Sequence, residues 1–224
     1  LKLVAGEFAR IAVMVAVLFL VAGRLSYWQG WLFAALSFWL PISTLLWSLK
    51  SPKMADLLQE RMKPAKPSTK GDKALVGIMT LGYLGVLVVG ALDGGRFHWT
   101  AGLPVSAYAA GAVASVISAS TLLWAMVVNR FFSTVVRIQT DRGHEVCKEG
   151  PYRFVRHPAY MAMILGAVSM PLVLGALWAY LPAAVMVLAI LVRTGREDAT
   201  LKSELPGYQD YSTQVRYRLV PYLW

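Results

Sequence analysis

Apolar residues fill this 224-residue chain in long blocks separated by shorter polar ones. Blocks at about Glu7 to Gly23, Trp28 to Leu49, Ala74 to Leu92 and Leu103 to Val128 each approach the roughly 20 residues with which an α-helix crosses a hydrocarbon core. A further stretch, Ala159 to Val192, has Gly175 between Pro171 and Pro182, a pattern that predicts a hairpin of two helices of about 16 residues. At roughly 1.5 Å per residue each arm reaches only about 24 Å, so the hairpin spans a thinned region or stops short. Together the blocks predict an all-α, polytopic integral membrane bundle of about five to six segments, the last two a hairpin. The Phe8–Ala22 stretch has the look of a signal-peptide core, but more spans follow it, and it reads as a retained first span.

The polar blocks between these spans are asymmetric in charge. Segment 50 to 73 holds seven basic residues, segment 129 to 158 holds six and the tail from 193 holds five, whereas the intervening loops carry Arg24 and Arg96. Basic loops stay cytosolic, so six segments place all three basic regions, and both termini, in the cytosol. Trp28, Trp31, Trp47, Trp99 and Trp124 stand near span ends, where indoles favour the headgroup layer, and His98 beside Trp99 reads as a belt residue. In segment 50–73, Ser51-Pro52 opens a short helix whose Met54, Leu58 and Met62 form one stripe, suited either to lying flat on the inner leaflet or to a solvated linker. The chain thus divides into residues 1–128, four spans with this amphipathic linker, and residues 129–224, a cytosolic loop, the hairpin and the tail.

Composition narrows the class further. With 57% hydrophobic residues, 15% charged and a mean hydropathy of +0.54, a chain of this size has more apolar surface than a soluble core can hide. Its net charge of +10 belongs to topology rather than to nucleic acid, because no water-exposed domain of adequate length carries it. The single cysteine, Cys147, excludes an intramolecular disulfide framework, and three scattered histidines offer no metal spacing, so no metal is expected. Walker, GxGxxG and GxSxG patterns are absent. The small-residue spacings, Gly82-Tyr83-Leu84-Gly85 among them, form no strict dimer motif, and the oligomeric state stays open.

Segment 129–158 is far longer than a connection requires, which marks a functional or disordered loop. Its interleaved Phe131, Phe132, Ile138, Tyr152 and Phe154 favour a folded one. Gly150-Pro151 sets a turn, and Pro158 suits the first position of the next helix, leaving Arg156 and His157 at a helix N-terminus that favours an anion. From spacing alone, that pair either contacts lipid phosphate or binds a ligand. In the tail, Glu197 lies four residues after Arg193, so the two either pair on one helix face or receive a zwitterionic ligand together.

Gly150-Pro151-Tyr152 followed by Arg156-His157-Pro158 and Tyr160 reproduces the GxY…RHPxY signature of the isoprenylcysteine carboxyl methyltransferase family. Arg193, Glu197-Asp198, Leu201, Tyr208 and Tyr211 resemble its RxxxEE…L…Y..Y ending. The chain is similar to the bacterial branch of that family and to the related phospholipid N-methyltransferases. The resemblance implies S-adenosylmethionine as methyl donor, held in a cytosolic pocket built by the RHP loop and the tail. Matched by position, it implies Gln139, His144, Gly150, Tyr152, His157, Pro158, Tyr160 and Glu197 as donor contacts, with Tyr208 and Tyr211 closing over them. Arg156, Arg193 and Asn129 would orient the acceptor. Asp198 replaces a glutamate common among relatives, shortening its reach by one methylene.

The implied partners are membrane lipids and a lipid-like or small hydrophobic acceptor, possibilities that include a prenylcysteine-type carboxylate, a phosphatidylethanolamine-type amine and a small thiol. A carboxylate needs no deprotonation, whereas an amine or thiol must lose a proton. A reading of another class is a non-catalytic membrane module or transporter, against which stands the scarcity of charge inside the spans.

Overall fold

The computed structural model describes residues 2–52, 56–59, 70–133 and 138–224. Among them every regular element is helical: α1 (Lys2–Ala22), α2 (Trp28–Ser37), α3 (Trp39–Lys50), α4 (Lys70–Gly90), α5 (Val105–Val128), α6 (Pro158–Leu174), α7 (Tyr180–Glu204) and α8 (Tyr208–Gln214). Five stretches are long and apolar enough to cross a membrane: Val4–Ala22, Trp28–Lys50, Gly71–Phe97, Val105–Val128 and Leu177–Glu204. The protein is an integral membrane protein. The second span breaks at Phe38 into α2 and α3, and the third ends in a π-helical segment, Ala91–Phe97.

The hairpin differs from the expected pair of equal arms. α6 has 17 residues, but α7 has 25, about 26 and 38 Å of helix. The apolar run stops at Val192 while the helix does not, because Arg193, Thr194 and Asp198 are buried and keep one face of α7 against the protein. α7 thereby carries polar side chains from the bundle into the loop and tail region. Between the arms, Gly175 adopts φ +65, with Gly175 N–H bonded to Leu172 O at 3.1 Å and Ala176 N–H to Pro171 O at 2.9 Å. This left-handed closure stops α6.

Small residues set the helix pairing. A Cβ on Gly82 would lie 2.8 Å from Met186 Cβ, and one on Gly85 2.8 Å from Pro182 Cβ. The Gly82–Gly85 step therefore brings α4 onto α7 within the chain. Across the bundle, Gly111 meets Leu172 and Gly166 meets Ser118, joining α5 to α6, and Ser118 Oγ donates to Ala162 O at 2.7 Å.

At the end bearing the hairpin turn, Leu18, Phe19, Tyr27, Val86, Leu87 and Leu174 form a buried cluster. Tyr27 Oη donates to Leu174 O at 2.5 Å. There the fully buried Asp93 accepts from Thr100 N–H and Thr100 Oγ at 2.6 Å each and from Trp178 N–H at 3.2 Å. A second cluster, with Leu75, Met79, Tyr160, Met186 and Ile190, lies toward the loop and tail. Of the stripe foreseen in segment 50–73, Met54 and Met62 lie outside the described residues. Leu58 is buried beside Leu57 against Val4 and Met126, so this position packs on the bundle. Trp28, Trp31, Trp47, Trp99 and Trp124 are all exposed.

Candidate active site

The described residues of the 129–158 loop are folded against the tail. Leu205, Tyr208 and Tyr211 pack with Ile138, Val146 and Val215 into a small apolar core shared by loop and tail. Backbone bonds fasten the two together: Arg156 N–H to Tyr217 O and His157 N–H to Arg218 O, both at 2.9 Å. Gly150–Arg153 forms one 3-10 turn with Gly150 at φ +55, and Pro158 begins α6 directly after His157. A side chain at Gly150 would strike Trp124 and Val128, so glycine meets both the positive φ and the close approach to α5.

Asp198 holds this assembly together. Its buried carboxylate takes Arg156 Nε at 2.8 Å and Arg156 Nη2 at 3.3 Å, Tyr208 Oη at 3.0 Å and Arg218 Nε at 3.1 Å. His157 Nε2 lies 3.3 Å from it, and Lys202 Nζ 3.4 Å. Arg156 Nη1 also donates to Val215 O and Arg216 O at 2.7 Å each. Only 5% exposed, Arg156 has no access to lipid phosphate, which removes the interfacial alternative for that residue. The methylene by which Asp198 is shorter than glutamate is thus accommodated by side chains that converge on it from loop, helix and tail. Burial first, and then the Asp198 carboxylate, push the Tyr208 hydroxyl above its ordinary value, so it remains a donor.

Arg193 does not pair with Glu197 as helical spacing suggested. Its Nε donates to Asp72 Oδ1 at 2.8 Å and its Nη2 to Asp72 Oδ2 at 3.4 Å, linking α7 to the first turn of α4. The guanidinium also lies 5.7 Å from the centre of the Tyr160 ring. Glu197 instead accepts from Tyr160 Oη at 2.5 Å. Asn129 donates to Tyr152 Oη at 3.1 Å and accepts from Phe131 N–H at 2.9 Å.

These residues surround a cavity of about 600 Å³. Asn129, His144, Tyr152, Arg156–Tyr160, Arg193, Glu197, Tyr208 and Tyr211 all line it. Gln139 and Gly150 stand behind the wall. Gln139, 2% exposed, donates to Phe131 O at 2.7 Å and accepts from Arg142 at 2.6 Å. Its N–H donates to His144 Nδ1 at 3.2 Å, which leaves a neutral His144 with its proton on Nε2. Burial raises the Cys147 thiol in the same wall, keeping it protonated. Beyond the loop and tail the lining continues with Leu40, Pro41, Thr44, Val76, Met79 and Tyr83 of α3 and α4. One end of the cavity is polar and the other lies among spans. Among the described residues no group of His, Cys, Asp or Glu side chains is placed to hold a metal ion.

Residues 112–203, from α5 through most of α7, match the family model of the isoprenylcysteine carboxyl methyltransferase (ICMT) family. This stretch is an ICMT-family domain. No curated protein matches the chain. ICMT-family proteins are methyltransferases that use S-adenosylmethionine as a general property, and the chain is a membrane methyltransferase. The ICMT match contains every loop residue of the cavity wall together with Arg193, Glu197 and Asp198, while Tyr208 and Tyr211 follow it. Asp198, Arg218 and Asp72 were not among the expected site residues. An acid beside Glu197 was visible in the sequence, but its convergence with Arg218 and the pairing of Asp72 with Arg193 across 121 positions left no local pattern.

Proposed function

We propose that the protein transfers a methyl group from S-adenosylmethionine to a lipid-like acceptor, at a site facing the cytosol of a bacterial inner membrane. The carrying observation is the continuity of one cavity from the RHP loop and tail tyrosines to the apolar walls of α3 and α4. Its volume falls in the range of small-molecule sites, roughly 300–1,000 Å³. The polar end fits the donor chemically: Glu197, whose one side-chain hydrogen bond among the described residues comes from a tyrosine, offers a carboxylate to an ammonium, His144 and Tyr152 offer rings and hydrogen-bond donors, and Tyr208, its O–H given to Asp198, offers its ring. When bound, the donor supplies an already activated methyl group.

The chain's own residues then have three tasks. His157, Tyr160 and Glu197 orient the donor, each held in place by a second partner: Asp198 for His157, Glu197 for Tyr160 and the α7 helix for Glu197. Tyr208 and Tyr211, buried and packed edge-to-face at 5.5 Å, exclude water from the reacting atoms. Arg156, Arg193 and Asn129 border the cavity with side-chain N–H groups bonded to protein, so their assignment to acceptor orientation works through rigid walls. Positioning of this kind suits a reaction that requires alignment and dryness more than acid–base assistance.

The test is methyl transfer from labelled S-adenosylmethionine by purified protein to membrane lipid and prenylcysteine extracts, with S-adenosylhomocysteine binding followed by thermal shift. Label is expected in an organic-soluble product, and His157→Ala and Glu197→Ala each weaken donor binding at least tenfold without loss of the folded protein. Absence of a thermal shift together with unchanged behaviour of His157→Ala would refute the reading.

A further inference from the structure

The membrane end of the cavity carries charge that donor binding does not use. Glu7 and Arg10, one helical turn apart on α1, form an ion pair and line the cavity together with Tyr83 of α4. The pair is directed outward: the Arg10 side chain is 67% exposed and that of Glu7 42%, while Val4 on the same helix is buried. The pair therefore stands at the open margin, not in the depths. Tyr83 lines the same space as the pair, and no hydrogen bond of its hydroxyl is found among the described residues, so it stands there as an available donor and acceptor. Charges within a span are costly unless they serve binding or transport.

We infer that Glu7, Arg10 and Tyr83 form an entry subsite for a phospholipid whose head joins a phosphate to a primary ammonium. The reason is charge matching. The protein pair is neutral overall, and a head that is itself a neutral zwitterion can exchange partners with it, phosphate to Arg10 and ammonium to Glu7, with no net charge left uncompensated. An anionic head such as a glycerol phosphate presents its phosphate to Arg10 but offers Glu7 only neutral hydroxyls, so the Glu7 charge loses its cation and gains none in exchange. A quaternary ammonium carries no N–H to donate to Glu7. The chains of such a lipid would rest on the Leu40, Pro41, Val76 and Met79 wall, which is apolar.

This assignment rests on the methyltransferase reading for its purpose, since an entry subsite supplies an acceptor to the polar end, but it is tested separately. Purified protein is equilibrated with an equimolar mixture of phosphatidylethanolamine, phosphatidylcholine and phosphatidylglycerol, and retained lipid is counted by native mass spectrometry. Phosphatidylethanolamine is expected to exceed phosphatidylglycerol by about tenfold, the scale of one charge-assisted hydrogen bond. Glu7→Gln and Arg10→Gln each abolish the preference, Tyr83→Phe lowers it severalfold, and the exchanged pair Glu7→Arg with Arg10→Glu retains it, which also shows that α1 tolerates substitution there. Equal retention of the three lipids by the wild type, or a preference that survives both single neutralisations, overturns the subsite. S-adenosylhomocysteine thermal shift is measured on the same samples: a shift without lipid preference refutes the subsite alone, and a preference without a shift refutes the donor reading alone.

Discussion

Replacing Asp198 with Asn keeps the shape of the side chain and removes its charge. Arg156, 5% exposed and bonded through Nε and Nη2 to that carboxylate, would be left buried beside a neutral amide, with His157 and Arg218 close by. Removing one partner of a buried pair costs about 3–5 kcal/mol. The Arg218 and Lys202 side chains are 32% and 36% exposed, so solvent screens them and their share is small. For a chain of this length, about 2–4 °C per kcal/mol predicts a fall in Tm on the order of 10 °C. The assay is thermal unfolding of the detergent-solubilised protein, followed by tryptophan fluorescence. The partner variant Arg156→Met and the double variant complete a cycle. If the stabilisation comes from the pair, the double variant is less destabilised than the sum of the two single ones by at least about 2 kcal/mol. A Tm within 1–2 °C of wild type for Asp198→Asn, on the same scale, or strict additivity, would refute the view that this carboxylate fastens loop to tail.

Tyr160→Phe removes the bond to Glu197 and is expected to weaken S-adenosylhomocysteine binding by about tenfold in calorimetry, in line with a hydrogen bond to a charged group. Gly82→Ala drives a methyl toward Met186 Cβ at 2.8 Å and should cost about 1–3 kcal/mol, whereas Gly77→Ala, with nothing within 4 Å, should stabilise by about 0.5–1 kcal/mol; thermal unfolding ranks the two. Because burial raises the Cys147 thiol, maleimide labelling should be slow at neutral pH and speed up by about tenfold per unit as pH rises toward that pKa, since the thiolate is the reactive form. S-adenosylhomocysteine should slow the labelling if the cavity wall at Cys147 borders the donor.

Legibility followed the range of the interactions. The spans were readable because each buries a long apolar run, and the turn at Gly150 and the helix start at Pro158 because those residues restrict their own backbones. The length of α7 was not, since its last turns are held by buried Arg193, Thr194 and Asp198, whose helical role depends on partners elsewhere. The break at Phe38 likewise interrupts no apolar pattern. In the site, loop and tail residues were singled out singly, but the choice of Asp72 over Glu197 as the partner of Arg193 is a tertiary outcome that i, i+4 spacing argued against.

The glycine contacts divide the bundle mechanically. Where Gly82 and Gly85 seat α4 on α7, and Gly111 and Gly166 seat α5 on α6, backbones touch and there is no slack to take up. The close glycine contacts of α1, Gly30 on Leu18 and Gly95 on Ala22, lie toward its far end, whereas Gly6 has nothing within 4 Å; at the cavity α1 presents Glu7 and Arg10, side chains that change rotamer cheaply. Two rigid ribs thus back the chamber, and the first turns of α1 form its compliant wall. A guest broader than the resting space is accommodated by deformation on that side alone, which carries Glu7 and Arg10.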